Sequence, residues 1–195
     1  MKKEIFQEIC SQVFSSLENN EQLTIYLEGE NSQYFRFNDS KLRQSGIIED
    51  YAVTISLFLG KKSLQAATTV SLDIESSVNN LKNEIHALRD PLSLIPENEF
   101  TSFPDSFESV EMIKSGQLPD RNEILEALMD VITKDYLTGV WTSGKIFRAC
   151  STSEGTNHWF EKDSFIFDFS LIDEKENMVK VLFPGSSWDK NKFDT

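Results

Sequence analysis

The sequence has 195 residues, 39% of them hydrophobic and 26% charged, the composition of a globular chain long enough to bury a sizeable core. Lys and Arg number 19 against 32 Asp and Glu, a formal net charge of −13, and no basic cluster exceeds Lys61-Lys62. That field argues against nucleic acid and anionic membrane surfaces as partners, and no stretch approaches the ~18 apolar residues of a membrane span.

In chain order, residues 3 to 18 place Ile5, Phe6, Ile9, Val13 and Leu17 on one helical face. Leu23, Ile25 and Leu27 then alternate with polar residues as a strand. Glu30-Asn31-Ser32 reads as a turn, and Tyr34 to Asn38 as a second strand. Residues 42 to 59 are the clearest β segment, with Tyr51, Val53, Ile55, Leu57 and Leu59 on one face. Gly60-Lys61-Lys62 signals a hairpin, after which Ser63 to Val70 pairs back antiparallel. Ile74, Val78, Leu81, Ile85 and Leu88 predict a helix that ends at Asp90-Pro91, because the residue before proline is disfavoured in helical conformation.

Residues 91–119 hold four of the five prolines and read as a connector with a short helix at Phe107 to Lys114, and as a sub-boundary between halves. Asp120 with Glu123 resembles a capping box, and Ile124, Leu128 and Ile132 continue that helix. Val140 to Ala149, His158 to Leu171 and Met178 to Phe183 are the remaining strands. Helices and hairpins are segregated, so the fold class is α+β, antiparallel β meanders flanked by helices.

The cysteines, Cys10 and Cys150, form no CxxC, and reduced thiols in a cytoplasmic chain are expected. The charged start, Met-Lys-Lys-Glu, does not lead into a signal-peptide core. His86 and His158 lie on different elements, and no zinc-type pair occurs. His86 reads as a solvated or capping residue and His158 as a packed or edge residue. A Cys150–His158 thiolate pair competes with a small buried strand cysteine, the commoner use of such a residue.

Two stretches carry more. Arg36 to Gly46 is a strand, a polar corner and a second strand, with Arg36 and Arg43 as fork donors suited to a peptide carboxylate or backbone. Arginines paired with acids on a sheet surface are the plainer reading. Gly139 to Gly155 reads as a glycine-punctuated hairpin rich in small hydroxyls, where another backbone can approach closely.

On these residues the chain resembles the TldD/PmbA family. The run YFRFNDSKLRQSG, Tyr34 to Gly46, is similar to that family's amino-terminal signature. GVWTSGKIFRACSTSEGTNHWFE, Gly139 to Glu161, resembles its middle segment, and Lys180 to Trp188 fits the family's next stretch. The match runs from about Ile25 to Trp188, so residues 1–195 read as a TldD/PmbA-like amino-terminal region. Proteins of this family, once called modulators of DNA gyrase, are bacterial and archaeal metalloproteases that mature or degrade unfolded peptides and pair as heterodimers. The family's zinc motif, HExxxH, does not occur here, so the resemblance implies zinc only for a segment outside this sequence and no catalytic or metal residue within it. It implies a chain inactive alone that contributes peptide binding and subunit assembly. A stand-alone, non-enzymatic peptide- or partner-binding module is the alternative. The expected contact residues are Arg36, Asn38, Arg43, Gln44, Ser143 and Ser153, facing an unfolded peptide or a partner subunit of the same family.

Overall fold

The computed structural model describes residues 1–105, 108–132, 136–173, 175 and 177–193. The stripe predicted for residues 3 to 18 forms α1 (Lys3–Phe14), shorter than expected. The Ser15 and Ser16 hydroxyls donate to the carbonyls of Gln12 and Val13, capturing the last turn. The strands are β1 (Glu21–Asn38), β2 (Lys41–Leu59), β3 (Lys62–Thr69), β4 (Glu111–Lys114), β5 (Tyr136–Thr152), β6 (Asn157–Ile172) and β7 (Met178–Gly185). They form one sheet in the order β3-β2-β1-β5-β6-β4, with β7 also paired to β6. The β2–β3 and β6–β7 ladders are antiparallel, with Ala52 opposite Thr69 and Phe165 opposite Gly185. Helices α2 (Ile74–Leu94), α3 (Arg121–Ile132) and the short α4 (Lys190–Phe193) complete an α+β architecture.

Four expectations are corrected. The turn at Glu30-Asn31-Ser32 is absent, and β1 runs through it as one 18-residue strand. Its polar residues are satisfied in place: Ser32 donates to the Glu30 carboxylate at 3.1 Å. Helix α2 does not end at Asp90 but carries Pro91 inside it. Burial of Leu92, 1% exposed, holds the final turn against the proline's missing N–H, and Lys62 caps the Ser93 carbonyl at 2.9 Å. Residues Glu111–Lys114 are a strand, not the end of a short helix, and the Trp159 N–H donates to the Val110 carbonyl at 2.9 Å. Phe107, where that helix was to start, lies outside the described residues. Thr142 to Gly144, expected as a turn of the glycine-punctuated hairpin, sit in the middle of β5, while the turn expected at Ser153 to Gly155 is there, with Gly155 at φ +96°.

The Asp120 half of the expected capping box is present: its carboxylate accepts the N–H groups of Asn122 and Glu123, both at 2.8 Å. Ile124 and Leu128 are fully buried behind it, while the side chain of Ile132 lies outside the described residues.

Two compact units divide the chain. Unit 1 comprises Met1–Gly29, Asp50–Ile113 and Phe147–Phe160; unit 2 comprises Glu30–Glu49, Lys114–Ile146 and Glu161–Thr195. The core of unit 1 is largely aliphatic, with Ile9, Val13, Leu23, Ile25, Leu27, Ile55, Leu57 and Leu81 at 0–1% exposure, beside Phe6, Tyr51, Phe147 and Trp159. The core of unit 2 is aromatic: Phe35, Phe37, Trp141, Phe165 and Phe167 are buried, with Trp188 and Phe193 packed against them. Trp141 stacks on Phe165 at 4.9 Å between centroids and meets Trp188 edge-on at 5.5 Å. Neither indole N–H has a hydrogen-bond acceptor among the described residues, and aromatic rings surround both.

Candidate binding edge

Unit 2 contains the β1–β2 corner singled out in the sequence. Asp39 and Ser40 both take positive φ, +53° and +52°, as the two central residues of a tight primed hairpin turn do. Neither is glycine, and the corner is held from outside. The Ser40 N–H donates to the Leu137 carbonyl, and the Leu137 N–H to the Ser40 hydroxyl, both at 3.0 Å. Thr138 donates to the Asn38 side-chain carbonyl at 3.2 Å. Arg43 folds back, its Nε donating to the Asn38 main-chain carbonyl at 3.1 Å and its Nη2 lying 3.9 Å from the Asp39 carboxylate. Arg36 and Gln44 are exposed and form no side-chain bond among the described residues. Asn38 and Arg43 are therefore brought together, and both serve the turn.

Beyond the corner, β2 has one covered and one open stretch. β3 pairs with Ala52–Leu59, and the Val70 N–H reaches the Tyr51 carbonyl at 3.0 Å. From Lys41 to Glu49 no described strand lies on that side. Leu42 and Ile47 are exposed there, Ile47 by 75%. Arg121, above the Phe35 ring at 4.8 Å, donates to the Ser45 hydroxyl at 3.2 Å and fixes which face Ser45 occupies.

Ser143 sits elsewhere in unit 2. It is 4% exposed, accepts from the Gln33 amide at 3.2 Å, and lines a cleft of about 480 Å³ with Glu30, Ser32, Lys162, Ser164 and Ser186. The backbone that approaches next to it is the chain's own: a Cβ on Gly144 would stand 2.3 Å from the Asn31 carbonyl oxygen. Ser153 belongs to unit 1, where its N–H donates to the Leu23 carbonyl at 2.9 Å and its hydroxyl accepts the Leu23 N–H at 3.1 Å.

The remaining reactive groups are quiet. His158 Nδ1 accepts the Val110 N–H at 3.2 Å, so that nitrogen is not turned to Cys150. Burial raises the Cys150 thiol and pushes Cys10 up to about 12, which keeps both protonated at neutral pH. The described residues hold no group of three or more His, Cys, Asp or Glu placed to ligate a metal, and none of their helices is long and apolar enough to cross a membrane. Sequence reasoning missed Ile47 on the open edge and Arg121, which reaches Ser45 from α3; nothing in the residues themselves showed the missing neighbour strand.

No family model matches the sequence, and no curated protein matches it. Solved structures do match. One, described as a candidate modulator of a DNA gyrase from Thermotoga maritima, superposes with a TM-score of 0.64 at 13% identity, covering 96% of this chain and 46% of that one. The chain has the TldD/PmbA fold. TldE from Thermococcus kodakarensis gives a TM-score of 0.62 at 12% identity, covering 96% and 44%. A candidate modulator of DNA gyrase from Bacteroides thetaiotaomicron gives 0.58 at 13%, covering 95% and 45%. The chain thus spans less than half the length of each of these TldD/PmbA-fold proteins.

Proposed function

We propose that this chain is a peptide- and subunit-pairing module, the amino-terminal part of a TldD/PmbA-like peptidase or of its non-catalytic partner. It works in the cytoplasm by main-chain pairing along the outer edge of β2. The observation that carries the reading is the uncovered strand from Lys41 to Glu49, with Ile47 75% exposed. An unpaired strand presents a row of N–H and C=O groups to any extended chain, and proteins normally cover such edges. Here the turn bonds of Asn38, Ser40 and Arg43 stiffen the corner at one end of the edge. A rigid edge loses less conformational entropy when a guest strand docks.

Peptide hydrolysis, in this reading, belongs to a segment carrying HExxxH, a motif the 195 residues lack. This chain's contribution is to hold an extended peptide or a subunit of the same fold. The test is titration of a labelled unstructured peptide against the wild type and Arg43→Glu. Binding in the micromolar range, weakened severalfold by the substitution, is expected; equal affinities, or no binding by either protein, would leave the corner as ordinary sheet surface.

A further inference from the structure

The cleft in unit 2 that Ser143 lines carries opposite charges and unused hydroxyls. We propose that it binds a short peptide by both of its free ends, Glu30 taking the α-ammonium group and Lys162 the α-carboxylate. This site is separate from the β2 edge and does not rest on the reading of that edge.

The cleft has a volume of about 480 Å³, within the range of about 300–1,000 Å³ usual for small-ligand sites. Every residue that lines it belongs to unit 2. Its polar groups are largely uncommitted. Glu30 accepts the Ser32 hydroxyl on Oε2 at 3.1 Å, which steers the carboxylate and leaves Oε1 without a donor among the described residues. Lys162, half-buried, forms no ion pair with Glu30 or with any other described residue. Ser143, 4% exposed, accepts from the Gln33 amide but donates to no described residue. A buried hydroxyl proton normally has an acceptor, and this one is left for a group that enters the cleft. Ser164 and Ser186 likewise make no side-chain bond among the described residues.

Spacing and charge select the guest. Glu30 lies on β1 and Lys162 on β6, with β5 between them. Two interstrand steps set those backbones about 10 Å apart. Three extended residues span roughly 10 Å, so the ends of a tripeptide match the two charges. A free amino acid, whose charged groups share one carbon, meets only one of them at a time. Between the ends, the Ser143 and Ser164 hydroxyls serve the peptide carbonyls, and Ile146 and Ile166 offer apolar surface to small side chains. Charge-assisted bonds are stronger than neutral ones, so each free end adds to affinity. A zwitterion has no net charge, and the chain's −13 does not oppose it.

Amide-resolved NMR titration of the chain with trialanine is the test, alongside N-acetyl-trialanine, trialanine amide and free alanine, on the wild type, Glu30→Gln and Lys162→Met. For trialanine on the wild type, saturable shifts at Ser143, Gly144 and Ser164 are expected, with a Kd of about a millimolar. Acetylation and amidation each remove one charge and are expected to weaken binding about tenfold, and free alanine is expected to bind at least as weakly. The two variants assign the ends. Glu30→Gln is expected to bind the free and acetylated peptides alike while still preferring a free carboxylate. Lys162→Met is expected to bind the free and amidated peptides alike while still preferring a free amine. No saturable shift at those residues would overturn the proposal. So would alanine or a blocked peptide that binds the wild type as tightly as trialanine, or variants whose preferences do not separate in this way. A chain that ignores trialanine and still binds the long unstructured peptide would refute end recognition and leave the pairing edge standing.

Discussion

One strand, β2, behaves in two ways along its length. Over Ala52–Leu59 it is flanked by β3, and Val53, Ile55 and Leu57 are at 0–1% exposure in the aliphatic core. Over Lys41–Glu49 it has no flanking strand on the same side among the described residues, and its residues are mostly exposed. Both stretches satisfy β geometry; they differ in what covers them. The covered stretch holds the fold together, and the other is the stretch we propose for pairing.

The contrast makes a direct stability prediction. Ile55→Ala removes buried methylenes from a filled core and is expected to cost about 2–5 kcal/mol in urea unfolding. Ile47→Ala, eight residues earlier on the same strand, is expected to change stability by less than about 0.5 kcal/mol. Similar losses at both sites would show that the open stretch is covered after all.

Ion pairs sharpen the comparison. In unit 1, Arg89 donates to both carboxylate oxygens of Glu21, at 2.8 and 2.9 Å, and the Glu21 side chain is 7% exposed. Those hydrogen bonds hold the Glu21 carboxyl below its ordinary 4.5. A depressed carboxyl stabilises the fold fully above its unfolded value, and that contribution disappears as the pH falls through the lowered one. Arg89→Met is expected to cost about 1.5–3 kcal/mol at pH 7 and to flatten the acid limb of the stability curve below pH ~4.5. At the corner, Arg43 and Asp39 are about half exposed and 3.9 Å apart. Asp39→Asn, which keeps a side chain tolerant of positive φ, should therefore shift stability little, by less than about 1 kcal/mol, a difference readable by thermal melts.

The thiols offer a smaller, chemical contrast. Cys10 is buried with its pKa raised to about 12, while Cys150 is half-buried on the apolar side of unit 1. Iodoacetamide at pH 8 is expected to label Cys150 first in the native chain, with Cys10 reacting only on unfolding. Equal labelling rates would place Cys10 nearer solvent than its packing indicates. The smallest expected effect is that of metal removal. With no ligand set among the described residues, a chelator should leave the melting temperature unchanged and elemental analysis should find no stoichiometric zinc.

How much of the structure was legible in the sequence depends on the range of the forces involved. The stripes of α1 and α2 and the alternation through Tyr51, Val53, Ile55 and Leu57 were readable, because each element carries its own period. So was the Asp120 cap, a bond spanning three residues. Pro91 misled because the gain from burying Leu92 comes from a core assembled by distant residues. Glu30 to Ser32 looked like a turn because polar residues usually make turns, yet here Gly144 lets β5 pack against Asn31 and Ser32. At the site, the arginines and the corner were visible as residue types. The openness of the edge was not, because it depends on where β3 ends, a matter of pairing register and not of the composition of β2.

The most direct test of the pairing edge is residue-resolved amide exchange by NMR, on dilute chain with and without the unstructured peptide. The account predicts alternation in the dilute chain: the amides of Arg43, Ser45 and Ile47 exchange quickly, while those of Gln44, Gly46 and Ile48, turned toward β1, are protected. Peptide should slow the fast set and leave the slow set unchanged. Uniform protection from Arg43 to Glu49 in the dilute chain, or fast amides untouched by saturating peptide, would contradict it.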